Sequence, residues 1–433
     1  MNDITETLAL LNASYSPFHV VKNIEDKLLE AGYTQLKEQE MYEIKEGGRY
    51  FVKRNGTSII AFQIPAALKS LYFKITATHN DSPTFKIKPN PVVRYKNLAS
   101  LNVEPYGGAI YSTWMDRPLS LAGRVMVMGK DGVEARLLAI DEDLLSIPNL
   151  CIHMNREINK GYAYNPAKDM LPLLGEVGDD FDFSSYIAAK LGLKKEESIL
   201  SFDLFLYNRD KACLMGMNKE FLGGGRLDDL SATYSVLLGF LAAEDKDGIN
   251  VFASFDNEEV GSLTKQGANS DFLRLTLKRI LKSLGKEEMF EAAIAGSALL
   301  SIDNAHANHP NHPEISDKTT DVRLNGGIVI KYNAAQSYTS DAMSAALVKK
   351  VAAICSVTTQ DYTNRSDLRG GSTLGNISNS EVSLTSCDIG IAQLAMHSSY
   401  ELLGAKDIEA MEKLVKTYFS ASLKIEDGGF TIA

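Results

Sequence analysis

Five segments of the sequence place histidine or carboxylate side chains directly after, or directly before, apolar runs. In the first segment, residues 78–83, His79 is followed two residues later by Asp81. An imidazole that binds a zinc-like cation needs an acceptor for its other ring nitrogen, and a nearby carboxylate can supply it. Because His-x-Asp is also common in surface turns, this pair indicates a metal site only in combination with other ligands.

Two further segments contribute adjacent carboxylates. Asp228 and Asp229 precede an apolar, helix-like stretch. An aspartate at that place can cap the helix, or it can bridge two cations with its two oxygens. Glu258 and Glu259 follow a strand-like run, and in such a pair one glutamate can bind a cation while the other takes a proton from water. The spacing alone does not say which glutamate does which.

The last two segments lie in the C-terminal half of the chain. Asp303 follows an apolar run, and three histidines spaced three residues apart come after it, beginning with His306. Two prolines interrupt that stretch and would break any helix that aligned the rings. We therefore expect Asp303 to be the ligand, and His306 to lie behind the ligands or on the substrate side. His397 also follows an apolar segment, where a single histidine is usually a packing residue.

Taken together, these segments offer two imidazoles and three carboxylates: His79, Asp228, Asp303, His397 and a glutamate of the 258–259 pair. This set matches the needs of two cations that share one bridging carboxylate. The mixture of nitrogen and oxygen ligands favours zinc, cobalt or manganese over calcium or magnesium, which prefer oxygen alone. The four cysteines are scattered without CxxC spacing, so sulfur ligands are not expected.

The elements that must position these side chains follow from hydrophobic periodicity. A helix is predicted from Pro17 to a stop at Gly32, and a hairpin around Asn55 and Gly56. Residues 89–222 contain short strands and turns and are interpreted as an inserted domain between two parts of a catalytic domain, 1–88 and 223–433. After the insertion, helices and strands alternate, which predicts an α/β sheet with helices on both faces. The helices are expected near 230–243, 271–284, 341–355 and 405–420, and the strands near 250–255, 292–302 and 327–332.

Composition limits the class of protein. The 433 residues are enough for two domains, and 45% of them are hydrophobic, as in soluble globular proteins. A net charge of −10 with both signs interspersed argues against nucleic acid or an anionic membrane as the main partner. The first residues do not resemble a signal peptide, no apolar run is long enough to span a bilayer, and the cysteine pattern suits reduced thiols. These features predict a cytoplasmic protein.

The ordered motifs resemble the aspartyl aminopeptidase family of metallopeptidases, which includes the vacuolar aminopeptidases. The matching stretches are THNDSP, YGGAIYSTWMDRPLSLAGRV, GRLDDL, FDNEEVGS, SIDNAHANHPN, GGIVIKYNAAQSYTSDA and the segment around His397. They occur in family order and cover almost the whole chain. The resemblance implies a zinc-peptidase-like mixed sheet flanked by helices.

The resemblance also implies a role for each site residue. Two metal ions, most commonly zinc, would be bound by His79, Asp228, Glu259, Asp303 and His397, with Asp228 bridging both. Asp81 would steady His79, and Glu258 would be the general base, which resolves the choice between the two glutamates. Asn80 and Asp229 stand where the family usually has threonine and asparagine, and neither replaces an implied ligand.

The inserted region would be a β-rich dimerisation domain, and the dimers would assemble into a dodecamer. His153 matches a position that reaches the active site of a neighbouring subunit, although it could equally be an interface packing residue. Lys331 matches a substrate-side residue, although it could also be an exposed strand lysine.

The expected activity is removal of the first residue from peptides with a free N-terminus, with preference for an acidic or a neutral apolar residue. The alternatives are another metallopeptidase of similar architecture, such as a dipeptidase or a deblocking aminopeptidase, and an inactive oligomeric binding protein on the same fold.

Overall fold

The computed structural model describes residues 2–368, 370–371 and 373–433: two helices are followed mainly by strands up to residue 224, and helices alternate with strands from residue 227 onward. The helices are α1 (Asn2–Ala13), α2 (Pro17–Glu30), α3 (Pro166–Asp169), α4 (Phe183–Lys190), α5 (Leu227–Leu241), α6 (Phe272–Ser283), α7 (Phe290–Ala295), α8 (Ala342–Ile354), α9 (Leu374–Glu381) and α10 (Ala405–Ser420). None of these helices is long and apolar enough to cross a membrane.

The strands of the N-terminal half are β1 (Thr34–Leu36), β2 (Arg49–Arg54), β3 (Ser58–Gln63), β4 (Phe73–His79), β5 (Thr84–Tyr95), β6 (Leu98–Tyr106), β7 (Leu119–Gly129), β8 (Gly132–Ala139), β9 (Leu173–Glu176), β10 (Ser198–Asn208), β11 (Cys213–Met215) and β12 (Phe221–Gly224). Those of the C-terminal half are β13 (Ile249–Phe255), β14 (Ala298–Ile302), β15 (Ala305–His306), β16 (Ile328–Tyr332), β17 (Thr359–Thr363), β18 (Thr385–Gly390), β19 (Ala392–Leu394), β20 (Glu401–Gly404), β21 (Leu423–Glu426) and β22 (Gly429–Ile432).

The largest sheet has nine strands in the order β1-β2-β3-β13-β4-β14-β18-β16-β17. Its central strands β13, β4 and β14 run parallel to one another and are buried along their whole length. This burial matches their nearly continuous apolar sequences, which are typical of parallel strands covered on both faces. Apolar side chains of α1, α2, α5, α8 and α10 cover one face, and those of α6, α7 and α9 cover the other. The predicted α/β architecture is therefore confirmed.

A second sheet of six strands, in the order β8-β7-β10-β5-β6-β9, is built from residues 84–208. It has its own apolar cluster, which includes Phe85, Trp114 and Leu204. The next strands along the chain, β11 and β12, instead join β20, β19 and β15 in a third sheet. Residues 213–224 thus pair with the C-terminal part of the chain.

Most of the expected elements occur where the sequence predicts them. The hairpin of β2 and β3 has the expected antiparallel register, and α2 begins at Pro17 after Ser16. One prediction was wrong in part: residues 292–302 were expected to form one strand, but α7 ends at Ala295 and only β14 is extended. The segment 290–295 contains three alanines, whose high helix propensity explains the difference.

Lys74 connects the central strand to the C-terminal helix. Its side chain is fully buried, and its ammonium group donates hydrogen bonds to the carbonyl oxygens of Phe419 and Ala421, where α10 ends. These carbonyls lack partners within the helix, so the lysine satisfies acceptors that would otherwise be buried unpaired. Burial lowers the pKa of Lys74 to about 7.

We expect Lys74→Met to remove a pH-dependent part of the stability. Between pH 7 and 10.5 the unfolded wild-type chain binds more protons at this lysine than the folded chain does. Stability contributed by Lys74 therefore rises with pH across that window, by up to about 1.4 kcal/mol per pH unit. The free energy of unfolding, measured at one protein concentration from pH 7 to 10, should rise less steeply in the variant. Parallel profiles for the two proteins would contradict this expectation.

Candidate metal centre

The ends of three neighbouring parallel strands bring the first group of predicted residues together. His79 is the last residue of β4, Glu258 and Glu259 follow β13, and Asp303 follows β14. Because parallel strands end at the same edge of a sheet, residues far apart in sequence meet there. Asp228, in the first turn of α5, and His397, in the loop between β19 and β20, complete the set.

Asp228 lies at the centre of the cluster and points its two oxygens in different directions. Its Oδ1 lies 3.3 Å from Nε2 of His79, which is also 3.7 Å from Oδ1 of Asp303. Its Oδ2 lies 3.6 Å from Nε2 of His397, which is also 3.5 Å from Oε2 of Glu259. Two three-residue groups that share Asp228 therefore result, and in each the potential ligand atoms lie within 4.8 Å of one another.

Both histidines are oriented by backbone carbonyls. Nδ1 of His79 lies 3.1 Å from the carbonyl oxygen of Asp81, and Nδ1 of His397 lies 3.1 Å from that of Gly108. A carbonyl oxygen can only accept, so each Nδ1 carries a hydrogen, and Nε2, which faces the carboxylates, is the nitrogen that could bind a cation. The sequence suggested that the carboxylate of Asp81 would be the acceptor for the His79 ring. Its Oδ1 lies 3.5 Å from Nδ1 of His79, farther away than the carbonyl oxygen of Asp81.

The imidazole and carboxylate groups of this cluster suit divalent cations. Oδ1 of Asp228 and Oε1 of Glu259 are buried and have no hydrogen-bond partner in the described part of the chain. Buried carboxylate oxygens without donors are costly, and several carboxylates in one pocket also repel one another. Positive ions between them would remove both costs, and imidazole with carboxylate suits zinc-type ions. The arrangement could hold one ion in each of the two groups.

Glu258 faces the same pocket and belongs to neither of the two groups that contain Asp228, although it forms a third group of potential ligands with His79 and Glu259. The carboxylate of Asp81 accepts hydrogen bonds from the backbone nitrogens of Glu258, at 3.1 Å, and Glu259, at 3.2 Å, and from the hydroxyl of Tyr106, at 2.7 Å. Asp81 therefore holds the loop that carries both glutamates. Burial, with the surrounding carboxylates, raises the pKa of Glu258 to about 8.

Lys331 and His306 line the same pocket, whose volume is about 150 Å³. The buried ammonium group of Lys331 donates to the carbonyl oxygen of Asn304 at 3.0 Å and lies 3.4 Å from Oδ2 of Asp303. Burial opposes the charge of Lys331, but the surrounding groups, Asp303 first among them, together outweigh it and raise the lysine pKa. His306 also lines an adjoining cavity of about 300 Å³, which extends along the loop 315–320.

His153 does not line this pocket within its own chain. It lies in an exposed turn of the region 150–157, beside the exposed side chains of Ile152 and Met154. The other two histidines of the C-terminal stretch, His309 and His312, pack against each other, and the side chain of His312 is largely exposed.

The sequence did not single out Glu401 or Asn304, which orient the ligands. Buried Glu401 accepts hydrogen bonds from the backbone nitrogens of Asp228, at 3.1 Å, and His397, at 2.8 Å. The side-chain amide of Asn304 donates to the carbonyl oxygen of Leu227 at 2.9 Å. Their one sequence signal was closeness to a ligand: Asn304 follows Asp303, and Glu401 comes four residues after His397.

Comparisons with known proteins find relatives that match almost the whole chain. Residues 10–419 match the family model for the aminopeptidase I zinc metalloproteases, M18. A probable M18 family aminopeptidase 2 of Clostridium acetobutylicum is 46% identical over 416 residues, which are 94% of this chain and 96% of the relative. A similar protein of Clostridium novyi is 43% identical over 424 residues, 96% of this chain and 98% of the relative.

Solved structures agree with this result. Mature Ape1 of Chaetomium thermophilum is 30% identical, with a TM-score of 0.86 and 97% of each chain covered. A structure described as a complex of Ape4 and Nbr1 matches at 35% identity with a TM-score of 0.92, covering 96% of this chain and 85% of the other. A dodecamer of mature Ape1 from S. cerevisiae shares the fold at 24% identity, with a TM-score of 0.83 and 96% of each chain covered.

We expect substitutions of Asp228 and Asp303 to differ in their effect on metal content. Asp228→Asn weakens both groups of ligands, so metal-loaded and dialysed protein should retain less than one ion per chain. Asp303→Asn weakens only one group and should retain about one ion. Metal can be measured by inductively coupled plasma mass spectrometry, with Asp341→Asn, which alters a helix cap elsewhere, as the control. Equal losses in the first two variants would contradict the shared role of Asp228.

Proposed function

The chain belongs to the M18 family of zinc aminopeptidases, and from that premise we propose a two-metal enzyme that removes the first residue from peptides with a free N-terminus. The observation that carries the proposal is the position of Asp228, whose two oxygens face two different sets of ligands. One ion would be held by His79, Asp228 and Asp303, and the other by Asp228, Glu259 and His397. Zinc is the proposed metal, and cobalt or manganese would suit the same ligands.

Two bound ions would acidify a water molecule and polarise the carbonyl of the scissile peptide bond. The carboxylate of Glu258 takes the proton of the attacking water and passes it to the nitrogen of the leaving peptide. Asp81 would support this role, because its carboxylate accepts a hydrogen bond from the backbone nitrogen of Glu258. The side chain of Glu258 is left to line the pocket.

We further propose that the enzyme prefers an acidic first residue. The ammonium group of Lys331 has three hydrogens, and its contacts with Asn304 and Asp303 account for two of them. The third is available to a carboxylate in the pocket. A volume of about 150 Å³ has room for one side chain, which suits removal of a single residue.

The active form is proposed to be a homo-oligomer, with dimers formed through the β-rich region 89–222 and assembled into a dodecamer. Exposed apolar side chains around His153, among them Leu150, Ile152 and Met154, support an interface there. His153 would then approach the pocket of a neighbouring subunit. The described cysteines are free, and we propose the cytoplasm as the location.

Glu258→Gln tests the assignment of the base. The amide cannot take a proton, so turnover should fall about 10²- to 10⁴-fold while metal content is unchanged. Turnover should be measured on aminoacyl and on N-acyl substrates, because an enzyme that cleaves the N-acyl forms would be a deblocking peptidase. A variant that keeps full activity would remove Glu258 from the mechanism.

Lys331→Met tests the substrate preference. Losing a charge-assisted hydrogen bond to substrate should lower kcat/KM for an N-terminal Asp about 10- to 100-fold relative to that for Leu. The ratio of the two values is the readout, because any disturbance of Asp303 affects both substrates alike. A wild-type enzyme that favours Leu, or a ratio that does not change, would contradict the acidic preference.

A further inference from the structure

Asp388 is a fully buried carboxylate of the nine-stranded sheet that has no part in the proposed reaction. It lies in β18, between β14 and β16, and is not among the described residues that line the pocket of the metal site. A buried carboxylate is costly unless hydrogen-bond donors surround it. The donors that surround Asp388 come from two segments that do reach the pocket.

Each carboxylate oxygen of Asp388 holds one of these two segments. Oδ2 accepts hydrogen bonds from the backbone nitrogen of Thr339, at 2.6 Å, and from its hydroxyl, at 2.8 Å. Oδ1 accepts a hydrogen bond from the hydroxyl of Thr373, the residue just before α9. The backbone nitrogen of Asp388 also donates to the hydroxyl of Ser340 at 2.9 Å. Asp388 therefore joins the segment that follows β16 to the segment that precedes α9.

The close approach of α9 to this carboxylate requires glycine at position 375. A Cβ atom on Gly375 would lie 2.6 Å from both carboxylate oxygens of Asp388, far inside a normal contact distance. The first turn of α9 therefore packs directly against the carboxylate. Packing thus supports the same link that the hydrogen bond from Thr373 makes.

Both segments carry walls of the pocket. Tyr338 and Thr373 line it together with Lys331. The centre of the Tyr338 ring lies 5.4 Å from Nζ of Lys331, within the range of a cation–π contact. Tyr338 thus lies beside the lysine that we propose to meet the side chain of the first residue, and Thr373 is a second wall of the same space.

We propose that Asp388 is a positioning residue that sets the selectivity of the enzyme for the first residue of its substrate. It fixes the two walls to β18, and β18 pairs with β16, the strand that carries Lys331. The walls therefore keep a constant distance from each other and from the lysine. A side chain that fits this space is bound without rearrangement, and one that does not fit is rejected. The inference rests on the proposed function, because it concerns the choice among substrates.

Asp388 also contributes charge to the pocket, so a test must separate its charge from its hydrogen bonds. Burial lowers the pKa of Lys331, and Asp388 is one of the groups, after Asp303 and Tyr338, that raise it. A substitution that removes the charge and keeps the hydrogen bonds distinguishes the two effects.

Two substitutions of Asp388 make this distinction. Asp388→Ala removes every side-chain acceptor, so the two walls are no longer joined. Asp388→Asn removes the charge but keeps an oxygen that can accept from Thr339. Its amide nitrogen can donate to the hydroxyl of Thr373, because a hydroxyl group accepts as well as donates.

The experiment measures kcat and KM of the metal-loaded enzyme on peptides that differ only in the first residue, which is Asp, Glu, Leu or Ala. Selectivity is the ratio of kcat/KM for the best of these peptides to that for the worst. In Asp388→Ala this ratio should fall about tenfold, mainly through a higher KM for the best substrate. Asp388→Asn should keep the wild-type ratio, and both variants should keep the wild-type metal content.

Asp407 provides a matched control. It is also buried, and its carboxylate accepts hydrogen bonds from the backbone nitrogens of Asn325 and Gly327. These residues precede β16, whereas Tyr338 follows it, so Asp407 braces the other end of the same strand. Asp407→Ala should lower the melting temperature, as Asp388→Ala does, but it should leave the selectivity ratio unchanged.

Thr339→Val serves if Asp388→Ala does not fold. It keeps the shape of the side chain and removes one hydrogen bond to Asp388, and Thr339 is not among the described residues that line the pocket. The ratio should fall in the same direction by a smaller factor. A wild-type ratio in Thr339→Val would overturn the inference.

The outcomes distinguish this inference from the proposed function. If the wild type hydrolyses the peptides but Asp388→Ala keeps its ratio, or Asp407→Ala loses as much, the inference is overturned and the proposed function stands. Equal losses in Asp388→Asn and Asp388→Ala would assign the effect to charge and overturn the inference as well. A metal-loaded wild type that hydrolyses none of the peptides would contradict the proposed function, and this inference with it.

Discussion

The repulsion among buried carboxylates is the constraint around which this protein is organised. Asp228, Glu259 and Asp303 converge within a few ångströms, and Glu258 faces the same pocket. In the folded chain such a cluster is costly unless positive charge lies between its members or some of its carboxyl groups stay protonated. The metal ions that we propose for this site would supply that charge.

The backbone, more than the side chains, holds this cluster in place. Glu401 joins the chain at Asp228 to the chain at His397, and Asp81 joins β4 to the loop after β13. The carbonyl of Gly108 orients His397 and comes from the segment just after β6. The segment that follows β6 thus ties the second sheet to the site. The second sheet and the nine-stranded sheet are therefore connected at the place where the proposed ligands meet.

Charge is balanced unequally on the two sides of Asp228. On the pocket side, Lys331 lies beside Asp303, and cations would neutralise the other carboxylates. On the opposite side, Arg226 and Trp114 line a small cavity whose lining residues include no carboxylate. The segment 226–228 thus leads from a pocket without carboxylates to the cluster of carboxylates around Asp228.

The sequence by itself determined the main elements and the chemistry of the ligands. Apolar runs predicted the strands β4 and β13, hydrophobic periodicity predicted the C-terminal helices, and the imidazoles and carboxylates that follow the apolar runs predicted a metal site. Only the tertiary structure decided which atoms meet. Residues 290–295 became a helix, Glu401 became the link between two ligands, and Arg226 and Trp114, 112 positions apart, came to line one pocket. Local patterns report on the neighbours of a residue along the chain. Partners that are distant in sequence depend on how the sheets pack, which no local pattern contains.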